Sequence, residues 1–362
     1  MSIQSEITRL QTAKANLKTS LENKGATVPS NTTLDGYPAI VNSLPNSTKY
    51  GATVDSFLGD IDSNGVLYPA STDTYLSFNG VKKMKDYALN HKFYHDYDID
   101  GVSFPDLEEL RNSNGMGSYA LQNAFSNCTN LTYAYFPKLK HVQATYALNG
   151  IFTDCRNLTS INFDSLEYAA ENDAFASAFE RTGLTSVSFP RLTYAMGWNN
   201  AFNQCGKLTS VSFPALTSVG STVGFYGCFQ SLCSQCYKLT SASFPELTTI
   251  ESSGNNAFCY TFSSCKSLQT ITFPKLEDIP AQYVFQGCFS NASSLTSVSF
   301  PALKSTSFGY TRNQFYNMLS GVTGCTVHFP SNLQSVIGSW SDVTNGFGGT
   351  NTTVLFDLPA TE

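Results

Sequence analysis

The phrase CGKLTSVSFPAL, residues 205–216, is one of a run of near copies, and this recurrence constrains the fold more than any other feature of the chain. Aligned on the Phe-Pro pair, the copies are anchored at Phe104, Phe136, Phe189, Phe213, Phe244, Phe273, Phe300 and Phe329. Phe163 joins them with Asp164 in place of proline, and Phe78 fits with Val81 in the following apolar slot. From Phe78 onward the intervals are 26, 32, 27, 26, 24, 31, 29, 27 and 29 residues. Self-similarity at such a period is the signature of a solenoid. Each unit cannot bury its apolar side alone, so neighbours stack into one continuous core.

The unit reads F-x-x-C-x-x-L-T-S-x-x-F-P-x-L. Its cysteine slot holds Cys128, Cys155, Cys205, Cys236 and Cys265, with Thr182 and Ala292 substituting in two copies. Leu131, Leu158, Leu184, Leu208, Leu239, Leu268 and Leu295 each precede their Phe anchor by five residues. Between Leu208 and Phe213, apolar residues alternate with hydroxyls, which is strand periodicity. Val211 and Phe213 are expected to face inward, and Ser210 and Ser212 outward. Proline ends the strand because it cannot donate to a ladder. The variable segment that follows, with pairs such as Ala124-Phe125 and Ala201-Phe202, is expected to form one helical turn. A free thiol is small, apolar and readily buried, so the cysteine column is expected to stack between coils with its thiols reduced.

With its A-F-x-x-C-x-x-L phrase, the chain resembles the BspA-type leucine-rich repeat over roughly residues 78 to 333. Thr182, Ala292, Asp164 and the long copies around 221–236 and 252–265 depart from the pattern. The resemblance implies an α/β repeat: a leucine-rich-repeat solenoid of short strands and variable helical or irregular turns, preceded by a short N-terminal helix. The expected organisation is an N-terminal helix and attachment segment (1–44), a connector and N-terminal cap (45–77), the solenoid (78–333) and a C-terminal cap (334–362). Trp340, Val354, Leu355 and Phe356 are expected to close the core at that last end.

Ile3, Ile7, Leu10, Leu17 and Leu21 follow a short a/d pattern, which suits a helix that pairs with copies of itself. A homo-oligomer is therefore expected, a trimer most of all. The following Lys24–Leu44, KGATVPSNTTLDGYPAIVNSL, resembles the N-terminal region of tail-associated structural proteins of phages and prophages of Gram-positive bacteria. That resemblance implies an N-terminus attached to other tail or virion proteins, with repeats projecting toward a host cell-surface glycan or protein. The runner-up is a bacterial BspA-like adhesin or interaction scaffold.

Charged residues make up only 13% of the chain, about half the usual share. Its net charge of −6 with no basic stripe argues against nucleic acid as a partner. The first residues lack the apolar run of a secretory signal, and no stretch reaches the roughly 18 apolar residues of a membrane helix. The expectation is synthesis in the cytoplasm and use on an extracellular particle, with no membrane partner.

No nucleophile elbow, Walker loop or dinucleotide fingerprint is present, so no enzyme and no cofactor are expected. Asp96, Asp98, Asp100 and Gly101 resemble the start of a calcium loop, but Leu107 stands where the bidentate glutamate belongs. His91 and His95 would share one face of a helix, without an H-E-x-x-H motif around them. Tyrosine and tryptophan supply apolar area with a polar tip at low entropy cost, which suits recognition. The candidate ligand-binding residues are Tyr133, Tyr135, Tyr146, Tyr168, Tyr194, Trp198, Tyr226, Tyr260 and Tyr283, and a sugar ligand suits aromatic rings interleaved with amides.

Overall fold

The computed structural model describes residues 75–78, 81–112, 116–220, 227–251, 254–304, 312–337 and 346–361. The five a/d residues of the N-terminal helix, the attachment segment, the connector as far as residue 74, Tyr226 and Trp340 lie outside these.

Within them the chain winds as a solenoid whose short strands fall on two faces. One face carries β1 (Tyr75–Ser77), β2 (Gly101–Ser103), β4 (Tyr133–Tyr135), β6 (Ser160–Asn162), β8 (Ser186–Ser188), β10 (Ser210–Ser212), β12 (Ser241–Ser243), β14 (Thr270–Thr272), β15 (Ser297–Ser299), β16 (Thr326–Pro330) and β17 (Thr353–Leu358). They pair in parallel as β1-β2-β4-β6, β8-β10-β12 and β14-β15-β16-β17. The other face is one six-stranded parallel sheet of β3 (Glu109–Arg111), β5 (His141–Gln143), β7 (Tyr168–Ala170), β9 (Tyr194–Met196), β11 (Ser218–Val219) and β13 (Thr249–Ile250).

Each repeat thus supplies one strand before its Phe-Pro anchor and, in six copies, a second after it. The central residue of β10, Val211, is buried between half-buried Ser210 and Ser212, as the alternation required. The first ladder breaks after β6, where the copy at Thr182 is one residue short. There a Cβ on Gly183 would lie 2.5 Å from the Arg156 carbonyl oxygen, so only glycine fits.

The variable segments are not helical, and this removes the α from the expected α/β class. Among the described residues the α-helix is confined to a short piece such as Gln334–Ile337. The third face is a stack of tight turns in which every fourth residue is left-handed. His91, Asn123, Gly150, Ser177, Asn200, Ser231, Tyr260, Gly287 and Asn317 form one such column, with φ between 50° and 60°. His95, Asn127, Asp154, Arg181, Gln204, Gln235, Ser264 and Asn291 form a second.

A right-handed helix would spend its N–H groups on its own chain. Here alternate amides reach the next coil instead: Leu121 donates to Ala147, Asn123 to Asn149 and Asn127 to Thr153, at 2.9, 2.8 and 2.7 Å. The amides between them close three-residue turns, Gln122 to Tyr119 and Ala124 to Leu121. Each left-handed non-glycine residue costs about 1–2 kcal/mol, and the inter-coil bonds offset that cost.

The core is built from columns. The anchor phenylalanines from Phe78 to Phe329 succeed one another at centroid distances from 4.4 to 6.2 Å. A second aromatic column, Phe93, Phe125, Phe152, Phe179 and Phe202, stacks beside it at 5.1–5.9 Å. Burying each ring contributes about 1.5–3 kcal/mol.

All ten cysteines are unpaired and buried. The thiols of Cys128, Cys155, Cys205, Cys236 and Cys265 donate to carbonyls of Phe93, Phe125, Phe179, Phe202 and Cys233 at 3.0–3.1 Å. The slot therefore takes a small buried side chain, and a thiol there ties one coil to the next. Thr182 instead donates within its own coil, to the Phe179 carbonyl at 2.9 Å.

Candidate functional site

The first sheet face is a low terrace of hydroxyls interrupted at one end by tyrosines. Across β8, β10 and β12 the outward pairs are Ser186/Ser188, Ser210/Ser212 and Ser241/Ser243, in exact lateral register. At β4 the pair becomes Tyr133/Tyr135, 37% and 43% exposed. The ladder does not end there, because Gly101/Ser103 and Tyr75/Ser77 continue it.

Tyr75 and Tyr133 lie two strands apart, yet their rings stack at 5.6 Å with planes 26° apart. They meet because Gly101 stands between them, where a Cβ would overlap the Tyr133 ring. Burial and the neighbouring Tyr75 hydroxyl and Asp100 hold the Tyr133 phenol well above its usual pKa. The result is a pre-stacked aromatic pair rising over a glycine floor, with Tyr135 beside it.

The second sheet uses the same device. Tyr168 and Tyr194 are register partners on β7 and β9 and stack at 5.0 Å. The Tyr194 hydroxyl crosses Gly220 toward the Glu251 carboxylate, and a Cβ at Gly220 would strike both. Burial first, then Glu251, raises the Tyr194 phenol. Toward the N-terminal coils the outward residues become charged. Glu109 bonds Lys83 and Arg111 at 2.6 Å, Arg111 reaches His141 at 3.2 Å, and His141 lies 4.0 Å from Glu167. The Lys83 hydrogen bond holds the Glu109 carboxyl below its usual range.

On the turn face, Tyr87, Tyr119 and Tyr146 stack in sequence at 4.8 and 5.1 Å. Tyr146 bonds Asp173, whose carboxyl is pushed up by burial. Further along, the exposed Tyr260 ring lies over Gly287, again a position where a Cβ would collide with it. Tyr283, half-buried, belongs to the left-handed column that includes Tyr119 and Tyr146.

The structure thus distributes the sequence-predicted tyrosines over three faces instead of gathering them. Tyr133 and Tyr135 share one patch, Tyr168 and Tyr194 a second, and Tyr146, Tyr260 and Tyr283 lie on the third face. Trp198 is a core residue, fully buried and stacked on Phe175 at 4.2 Å. Sequence reasoning missed Tyr75, Gly101, Gly220 and Glu251, which complete two of the patches.

The Asp96–Asp100 loop is an Asx turn in which the Asp98 amide donates to Asp96 Oδ1 at 2.9 Å. Among the described residues no group of three or more His, Cys, Asp or Glu is placed to hold a metal ion. His91 and His95 are left-handed turn residues, not neighbours on a helix face. His91 pairs with Asn90 and Asn123, and His95 with the Tyr97 hydroxyl. No described helix is long and apolar enough to cross a membrane.

Residues 90–230 and 176–338 match the BspA type leucine-rich repeat region, in six copies. The chain belongs to this family. This BspA-type protein is similar to a leucine-rich repeat protein of Bacteroides ovatus at 21% identity and a TM-score of 0.44, covering 79% of this chain and 67% of that one. It is also similar to a leucine-rich cell surface protein of Faecalibacterium prausnitzii at 15% identity and a TM-score of 0.31, covering 79% and 89%. An internalin of Listeria monocytogenes aligns at 12% identity and a TM-score of 0.26, covering 70% and 74%. No curated protein matches the sequence.

Proposed function

We propose that this BspA-type protein is a non-enzymatic recognition protein that binds a component of another cell's surface through its tyrosine patches. The observation that carries this reading is the Tyr75–Tyr133 pair, stacked over Gly101 with the exposed Tyr135 alongside. Stacked and sterically cleared rings lose little entropy on binding and present apolar faces with hydroxyl tips. That chemistry suits the C–H faces and hydroxyls of a wall glycan, while a protein receptor is the other ligand class the surface fits.

In this proposal the N-terminal segment, Lys24–Leu44, fixes the protein to a phage or prophage tail, and the repeats project toward the host. Support comes from the K-G-A-T-V-P and L-D-G-Y-P-A-I phrases and from the a/d spacing before them. Family membership favours the second reading, an adhesin or interaction scaffold. Titrating purified wall polysaccharide into the protein tests the ligand class. Saturable binding that weakens at least tenfold in a Tyr133→Ala/Tyr135→Ala variant is expected. Equal binding by variant and parent would remove this patch from the site.

A further inference from the structure

The far end of the solenoid carries a second surface. β17 is the longest described strand, six residues against two to five elsewhere, and among the described strands only β16 pairs with it. After β17 the chain turns back: Thr361 bonds Asn332 and the Leu303 carbonyl, the latter at 2.9 Å, so residues 359–361 do not cross the open edge.

Leu355 is 39% exposed, and it is the one aliphatic side chain among the exposed large hydrophobics of the described residues. Val354 and Phe356 are only partly buried, with Phe356 as the last rung of the anchor column, 6.0 Å from Phe329. Proteins normally blunt such an edge with lysine, proline or a bulge. Thr353–Phe356 has none of these, and its only pairing irregularity lies beyond the His328↔Leu355 pair.

We propose that this edge is occupied by β17 of a second copy, antiparallel, about a two-fold axis through Leu355. Hydrogen-bond phase selects that arrangement. Thr353 spends its N–H on Cys325 of the neighbouring coil at 3.0 Å, and alternate residues of a strand point their amides to opposite sides. The N–H and C=O groups of Val354 and Phe356 therefore face the open edge.

A two-fold at Leu355 sets Val354 opposite Phe356 of the second copy as a hydrogen-bonded pair, and the converse. All four open groups of these two residues are satisfied. Leu355 then faces its own copy in the narrow non-hydrogen-bonded position, where Cβ atoms lie about 4.5–5.5 Å apart. On the outer face Asp357 meets Thr353 rather than a second Asp357, so no like charges are opposed. Inside, the smaller Val354 sits against the larger Phe356, which continues the core column from one solenoid into the next.

Site-directed crosslinking of the full chain tests the pairing. All ten native cysteines are buried, so a Leu355→Cys variant presents one reactive thiol among the described positions. Facing thiols at that spacing are within reach of a disulfide. Under mild oxidation Leu355→Cys should form covalent dimer at least tenfold faster than Thr270→Cys, which is exposed on the same sheet. Equal rates would overturn the proposal.

Light scattering gives an independent reading, with or without self-association through residues 1–24, if it is read as a change against the parent. Leu355→Lys should lower the particle mass at least twofold relative to the parent while Leu355→Val leaves it unchanged. A Leu355→Lys variant with the parent's mass and melting temperature would exclude a second β17 as the occupant.

Discussion

Raising the pH from 8 to 10 should strongly destabilise this protein, and the buried thiols set how steeply. Nine cysteines have pKa values pushed far up by burial, to about 12 for Cys128, Cys205, Cys259 and Cys325 and well above the ordinary value for Cys155, Cys228, Cys233, Cys265 and Cys288. In the unfolded chain each thiol ionises near pH 8.5. The folded state therefore keeps protons that the unfolded state releases, and stability falls as pH rises above that value.

Integrated from pH 8 to 10, the loss is about 2 kcal/mol for each thiol held near 12, on the order of 8 kcal/mol for Cys128, Cys205, Cys259 and Cys325 together, and the other five add to it in the same direction. That is comparable to the entire stability of a typical domain. The control is supplied by the chain itself, because Thr182 fills the same slot with a hydroxyl that does not ionise in this range. A Cys128→Thr/Cys205→Thr variant should lose about 4 kcal/mol less over the interval. Urea unfolding followed by circular dichroism, in reductant, measures both. A stability that stays flat between pH 8 and 10 would refute the reasoning.

The remaining predictions concern packing and the patches. Leu208→Ala removes a fully buried rung and should cost about 2–5 kcal/mol by urea unfolding; an unchanged midpoint would contradict the inward face. Gly183→Ala forces a methyl against the Arg156 carbonyl and should destabilise by about 1–3 kcal/mol, whereas Gly206→Ala, with open space around it, should change stability by less than about 0.5 kcal/mol. Gly101→Ala should displace the Tyr133 ring, altering the near-ultraviolet tyrosine circular dichroism and weakening ligand binding. A spectrum identical to the parent's would mean that the ring does not rest on Gly101.

The strands were legible because their alternation is local: Val211 between two serines admits one inward face. The cysteine column was legible for its size and polarity, although its role as an inter-coil donor emerged only from the stacked geometry. The turn face was misjudged for a physical reason. Left-handed residues at Tyr119, Asn123 and Asn127 impose a four-residue period, and Leu121, Ala124, Phe125 and Cys128 are then buried in a spacing indistinguishable from a helix. Asn and Gly in that column hinted at it, while His91 and Tyr260 at equivalent positions hid it.

Trp198 had a readable clue: it stands three residues before Ala201, as Leu121 does before Ala124, and so occupies a core slot. The same alternation places Leu355 outward from Val354 and Phe356, against the expectation that it would help close the core. The tyrosine patches were not legible as patches, since Tyr75 and Tyr133 lie 58 positions apart and meet only because Gly101 clears the strand between them.

The most direct test of the recognition account is binding of fluorescently labelled full-length protein to a panel of Gram-positive cells, before and after removal of wall polysaccharide. The account predicts selective binding that is lost on stripping and is reduced at least tenfold in the Tyr133→Ala/Tyr135→Ala variant. Binding to no cell, or binding that the variant retains in full, would contradict it.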